Sequence, residues 1–225
     1  MADPETPPPI DHDRRVITLA VAPGSGARNR ADALTQLAWA AATIMQDMVL
    51  PTPPYLTPHD AVAAARIREA AAITSVILEA HAMRGPLPTW WAHIRTGVWA
   101  DLAAKLDEPA PLADQARAIF AAWFLDPSRL HLVDGRALEV LDQSMQSVAD
   151  QRVFRRRLPA HHARLWGMTM DGARYLRARD IPLNLSGLST INARYLDQLT
   201  RTQDRIIINN VAFRDETLAR RIFCS

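Results

Sequence analysis

One cysteine, one lysine and eight glycines among 225 residues set the first limits on this chain. The single cysteine, Cys224, cannot form an internal disulfide, and a fold without that staple is at home in a reducing compartment. No apolar run approaches the ~20 residues that cross a bilayer, so no membrane partner is expected. The first residues, Met-Ala-Asp-Pro-Glu-Thr-Pro-Pro-Pro, carry acid and proline where a secretory signal would carry basic and then apolar residues. A cytoplasmic or virion location is therefore expected, not a secreted one.

Catalytic signatures are missing as well. The seven histidines, at 12, 59, 81, 93, 131, 161 and 162, form neither a HExxH nor a Cys/His cluster with zinc spacing. There is no GxSxG, no P-loop and no EF-hand loop. The sequence thus predicts no metal, no cofactor, no catalytic residue and a protein that is not an enzyme. The Gly24-Ser25-Gly26 loop precedes a helical pattern, yet without a GxGxxG or Walker context it reads as a plain loop.

What is present is helix-forming and soluble. Apolar residues make up 48% of the chain and charged residues 22%, and alanine is abundant while β-branched runs are few. The fold class expected is mainly α, a multi-helix domain behind an extended proline-rich arm. The β-branched runs 14–21 and 205–208 can pair as one minor two-stranded element.

Periodicity and caps place the helices. One runs from about Asn29 to Met48, with Leu34, Leu37, Ala41, Ile44 and Met48 as its apolar face. Thr57-Pro58-His59-Asp60 opens another, which Gly85-Pro86 ends. Trp90 to Leu106 reads as a third, and about Pro111 to Leu125 as a fourth that buries Ile119, Phe120, Trp123 and Phe124. Tryptophans 39, 90, 91, 99 and 123 are expected as core or interface anchors. Asp126-Pro127 caps a short turn, and Asp134-Gly135 reads as a turn before the next helix. On that helix Leu138, Leu141, Met145 and Val148 form a stripe whose spacing continues into Arg152, Arg155 and Arg156. Ser189 caps a helix with Ile191, Tyr195, Leu199, Thr202 and Ile206 on one face, and 213–223 reads as a last amphipathic helix.

Charge is distributed unevenly. Residues 1–150 carry 12 Arg/Lys against 18 Asp/Glu, a net −6, and residues 151–225 carry 14 Arg against 6, a net +8. Three parts follow: an arm and strand over 1–27, an acidic alanine-rich helical core over 28–150, and a basic helical part over 151–225. Such asymmetry points to an anionic partner or to the acidic part of a neighbouring copy. With 25 arginines to one lysine, the basic groups are planar, bidentate donors suited to phosphate.

The predicted binding residues are Arg152, Arg155, Arg156, Arg157, His161, His162, Arg164, Arg174, Arg177, Arg179, Arg194 and Arg201. Arginines interleaved with Trp166 and Tyr175 have the pattern that holds phosphates by charge and bases by stacking, while Leu165, Trp166, Leu176 and Ile181 can equally share one buried side as core. These features predict a nucleic-acid-binding, self-assembling structural protein, coat or nucleocapsid-like, that binds RNA in preference to DNA without reading sequence. Acidic and basic parts of adjacent copies can pair head to tail into an oligomer or filament. Two other readings stay open. One is a helix-turn-helix regulator with Arg174–Asp180 as first helix and Asn192 and Arg194 facing bases; the other is an all-α enzyme or protein-interaction adaptor.

Overall fold

The computed structural model describes residues 26–202, together with the backbone of four short strands outside that range. Among the described residues there are eight α-helices: α1 (Ala27–Val49), α2 (Pro58–Ala82), α3 (Pro88–Thr96), α4 (Ala100–Ala103), α5 (Leu112–Trp123), α6 (Pro127–Gln146), α7 (Ala160–Ala163) and α8 (Thr190–Thr202). Residues 26–202 contain no sheet, only the isolated bridges Leu56 with Arg156 and Met168 with Arg174. The protein is mainly helical, as alanine-rich composition requires.

Among the described residues the two β-branched runs do not pair with each other. β1 (Ile10–Asp11) pairs antiparallel with β2 (Val16–Ile17), and β3 (Ile206–Ile208) with β4 (Val211–Phe213). Each run finds a partner a few residues away, which closes a far smaller loop than a pairing across the whole chain. The Gly24-Ser25 part of the glycine loop and most of the expected 213–223 helix lie outside the described residues.

Two compact units are each assembled from separated stretches. Within the described range, one comprises 26–51, 68–125 and 161–181, the other 52–67, 126–160 and 182–202. Helix α2 contributes residues to both. Its start is capped as the sequence demands: the Asp60 amide donates to Thr57 Oγ1 at 3.2 Å, and the Thr57 hydroxyl donates to Asp60 Oδ2 at 2.9 Å. Apolar on nearly every side, it is buried along most of its length.

In the first unit, α1 packs by a different face from the one its leucines mark. The buried residues are Ala31, Ala38, Ala40, Ala42 and Gln46, whereas Leu37 and Met48 are exposed. Small side chains let helices approach closely, and polar anchors then fix the contact: Gln46 Nε2 donates to the Arg68 carbonyl at 3.0 Å and Trp90 Nε1 to Thr35 Oγ1 at 3.0 Å. The helix expected from Trp90 to Leu106 stops at Thr96. Gly97 adopts an extended conformation there, α4 follows, and residues 104–107 tighten into a 3-10 turn. Ile119, Phe120 and Trp123 are buried on α5 as expected.

The same unit takes in the segment 161–181. Trp166 is fully buried, its indole donating to the Leu50 carbonyl at 2.7 Å with the Arg68 guanidinium 5.7 Å from its ring centre. Tyr175 donates to the Ala71 carbonyl at 3.2 Å. Burial pushes its hydroxyl well above the usual tyrosine range. Gly167 admits no side chain, since a Cβ would stand 2.2 Å from Leu176 Cγ.

In the second unit the expected turn at Asp134-Gly135 is the interior of one continuous helix. Asp126 caps α6 by accepting from the Ser128 amide at 2.8 Å, and the helix then runs unbroken to Gln146. Asp134 is drawn into it by Arg66: Nε to Oδ1 and a terminal nitrogen to Oδ2, both 2.6 Å, with both side chains buried. The remaining guanidinium nitrogen donates to the Ser186 carbonyl at 2.9 Å. Leu138, Leu141 and Met145 pack with Val62, Phe154 and Leu199 to form the core.

Candidate nucleic-acid interface

Helix α6 does not carry its stripe into the arginines. It ends at Gln146, and Asp150 starts a new 3-10 turn by accepting from the Arg152 amide at 3.0 Å. The Asp150 carboxylate also receives Arg152 Nε at 2.9 Å; these hydrogen bonds hold it below the ordinary carboxylate range. The expected apolar-to-cationic stripe is thus replaced by a break in the helix and a local ion pair. A residue spacing that matches a helix cannot by itself keep the backbone helical.

Beyond the break, buried apolar residues bracket the cations. Phe154 and Leu158 are 3% and 2% exposed, while Arg155, Arg156 and Arg157 between them are exposed. Backbone hydrogen bonds pin this triplet along residues 55–57, the Arg156 amide donating to the Tyr55 carbonyl at 3.0 Å and the Thr57 amide to the Arg156 carbonyl at 2.9 Å. Arg157 lies 3.4 Å from Asp60 but keeps most of its side chain in solvent. Arg194 and Arg201 stand exposed on α8, where Arg201 pairs with Asp197 at 2.6 Å in the i,i+4 arrangement.

In the other unit the alternation of arginine and aromatic has a structural meaning. Tyr175, Leu176 and Ile181 face inward, and Arg174, Arg177 and Arg179 face outward. Arg117 reaches this segment by donating to the Tyr175 carbonyl at 3.0 Å. His161 and Arg164 are exposed, and His161 touches the half-buried His162 with ring centres 4.3 Å apart. Trp166 and Tyr175 are core residues and offer no ring to a base. The stacking role expected of them is excluded by burial.

Ten of the twelve predicted residues are exposed, and only Arg152 and His162 are half-buried. They divide between the two units: Arg152, Arg155, Arg156, Arg157, Arg194 and Arg201 belong to one, and His161, His162, Arg164, Arg174, Arg177 and Arg179 to the other. The geometry required of a helix-turn-helix is missing. Residues 178–180 form only a 3-10 turn, and Asn192 is 4% exposed with its amide donating to the His131 carbonyl at 3.1 Å. The buried face of α8 is accordingly Asn192 and Leu199 with Tyr195 and Leu196 half-buried, and Ile191 points to solvent at 73% exposure.

Sequence reading missed Arg66, Asp134, Arg117 and Tyr55. The first two sit 68 positions apart, and no local pattern announces such a pair. Among the described residues no group of three or more His, Cys, Asp or Glu could hold a metal ion, and no helix is long and apolar enough to cross a membrane. Comparison with protein-family models, curated proteins and solved structures found no match to this chain.

Proposed function

We propose that this is a nucleic-acid-binding, self-assembling structural protein, coat or nucleocapsid-like, that grips the phosphate backbone of RNA through the arginines of its C-terminal third without reading sequence. The observation that carries this reading is the sorting of side chains over 154–181, in which Phe154, Leu158, Trp166, Met168, Tyr175, Leu176 and Ile181 are buried and the arginines between them are exposed. Each unit carries exposed arginines of its own, which suits contacts to the phosphate backbone more than a single reading head. The −6 of residues 1–150 and the +8 of residues 151–225 are each spread over both units, and opposite charges on adjacent copies support head-to-tail association, which builds rings or filaments.

Purified protein is expected to carry RNA, seen as a raised ratio of absorbance at 260 to 280 nm, and to form large particles in electron micrographs. Replacing Arg155, Arg156 and Arg157 by alanine is expected to weaken binding to all sequences alike. The slope of log affinity against log salt then falls by roughly 0.7 to 0.9 for each phosphate that is no longer neutralised. A monodisperse monomer that binds no nucleic acid overturns the proposal.

A further inference from the structure

Among the described residues Tyr55 alone combines a side chain with a left-handed backbone, at φ 59°. It lies in the turn that follows Pro53, at Pro54 and Tyr55, a setting that ordinarily calls for glycine or asparagine. A bulky aromatic there is strained, and strain of this kind collects at functional sites. The strain does not bury the ring, which is 48% exposed. Phe154 props it at right angles, with ring centres 5.5 Å apart and planes at 84°, so at least one face of Tyr55 is uncovered by its neighbour.

The same backbone hydrogen bonds that pin the arginine triplet attach it to Tyr55, through the Arg156 amide and the Tyr55 carbonyl. A half-exposed tyrosine and a run of three exposed arginines are therefore tied together through the backbone, with Phe154 and Leu158 as buried anchors on either side of the run. Trp166 and Tyr175, the aromatics that the sequence offered for stacking, are inside the protein. Tyr55, unlike them, has its side chain about half in solvent.

We propose that Tyr55 and Arg155–Arg157 form a base-stacking site for single-stranded nucleic acid. The tyrosine ring takes the face of one unstacked base, and the arginines hold the adjoining phosphates. This rests on the nucleic-acid reading above and adds to it a preference for single strands, because a base inside a duplex has no free face to offer. The prop from Phe154 and the turn at Pro54 set the ring in place before the strand arrives, which lowers the ordering cost of binding.

The test compares a short fluorescein-labelled oligouridylate with a duplex of equal length, against wild-type protein, Tyr55→Phe and Tyr55→Gly. Phenylalanine keeps the ring, and glycine is at ease in the left-handed backbone, so both variants retain the fold, as a thermal melt verifies. Tyr55→Phe is expected to bind the single strand as wild type does. Tyr55→Gly is expected to lose roughly 5- to 150-fold in single-strand affinity, the range for one stacked base, with duplex affinity unchanged. Equal single-strand affinity for Tyr55→Gly and wild type overturns the stacking site while leaving backbone binding intact. Absence of wild-type binding to either probe overturns the nucleic-acid reading and this site with it. If Tyr55→Gly fails to fold, an oligouridylate carrying 5-iodouridine tests the unaltered protein: a photo-adduct on Tyr55 supports the site, and adducts confined to other residues overturn it.

Discussion

Arg66 grips Asp134 through two parallel hydrogen bonds of 2.6 Å, with neither side chain reaching solvent. An isolated charge at either place would have no water to solvate it, so each residue depends on the other. The third hydrogen bond, to the Ser186 carbonyl, ties the chain ahead of α8 to the same guanidinium. One arginine thus joins α2, α6 and the 182–189 connection within its unit.

Removing one partner is expected to cost far more than removing both. Asp134→Ala should lower stability by about 3–5 kcal/mol, since it strands a buried guanidinium. The double replacement Arg66→Met with Asp134→Leu should cost less than either single change, leaving chiefly the Ser186 carbonyl without its donor. Urea unfolding of the two single variants and the double variant completes the cycle; strict additivity would show that the pair is not coupled.

Asn192 offers a test that separates architecture from recognition. Its amide donates to the His131 carbonyl at 3.1 Å and lies 3.2 Å from His131 Nδ1, and its backbone amide donates to Ser189 Oγ at 3.2 Å. Asn192→Ala should lower stability by about 0.5–1.5 kcal/mol, because it removes the hydrogen bonds that the buried side chain makes to His131. Nucleic-acid affinity is expected to stay unchanged in a filter-binding or anisotropy assay. A loss of sequence-specific duplex binding with no loss of stability would restore the helix-turn-helix reading.

The Asp150 pair predicts a pH dependence with a definite sign. Hydrogen bonds from Arg152 lower the Asp150 carboxyl below its ordinary value of 3.8, so the folded state favours the ionised form. The resulting stabilisation is full above 3.8 and disappears as pH falls through the lower folded value. The melting temperature of wild type should therefore exceed that of Asp150→Asn at neutral pH, and the gap should narrow as pH falls below 3.8. Because Asp150 is close to solvent, the gap should be small and should shrink in high salt.

Local chemistry carried much of the helical layout. Thr57 with Asp60, Asp126 and Ser189 each cap a helix where the sequence places a cap, and Gly85-Pro86 ends α2 as expected. The failures share a physical cause, which is that the deciding partner lies far away in the chain. Asp134-Gly135 has turn chemistry, yet Arg66 holds the aspartate inside a helix. The leucines of α1 mark a stripe, yet close packing selects the alanines. At the candidate interface the arginines were legible as a class, because charge cannot be buried unpaired, whereas the inward or outward turn of each aromatic depends on packing that composition does not encode. Tyr55 could have been noticed from Pro53-Pro54-Tyr55, since a proline at the first turn position favours a left-handed residue after it.

The interleaving of the two units has a consequence for how the chain matures. Trp166 fills its place against Leu50, 116 positions earlier, and Tyr175 against Ala71, 104 positions earlier. During synthesis, helices α1 to α5 emerge from the ribosome long before the residues that complete their core. A nascent chain that stops short of residue 161 keeps alanine-rich faces without their cover and must wait, open to chaperones, for the final third.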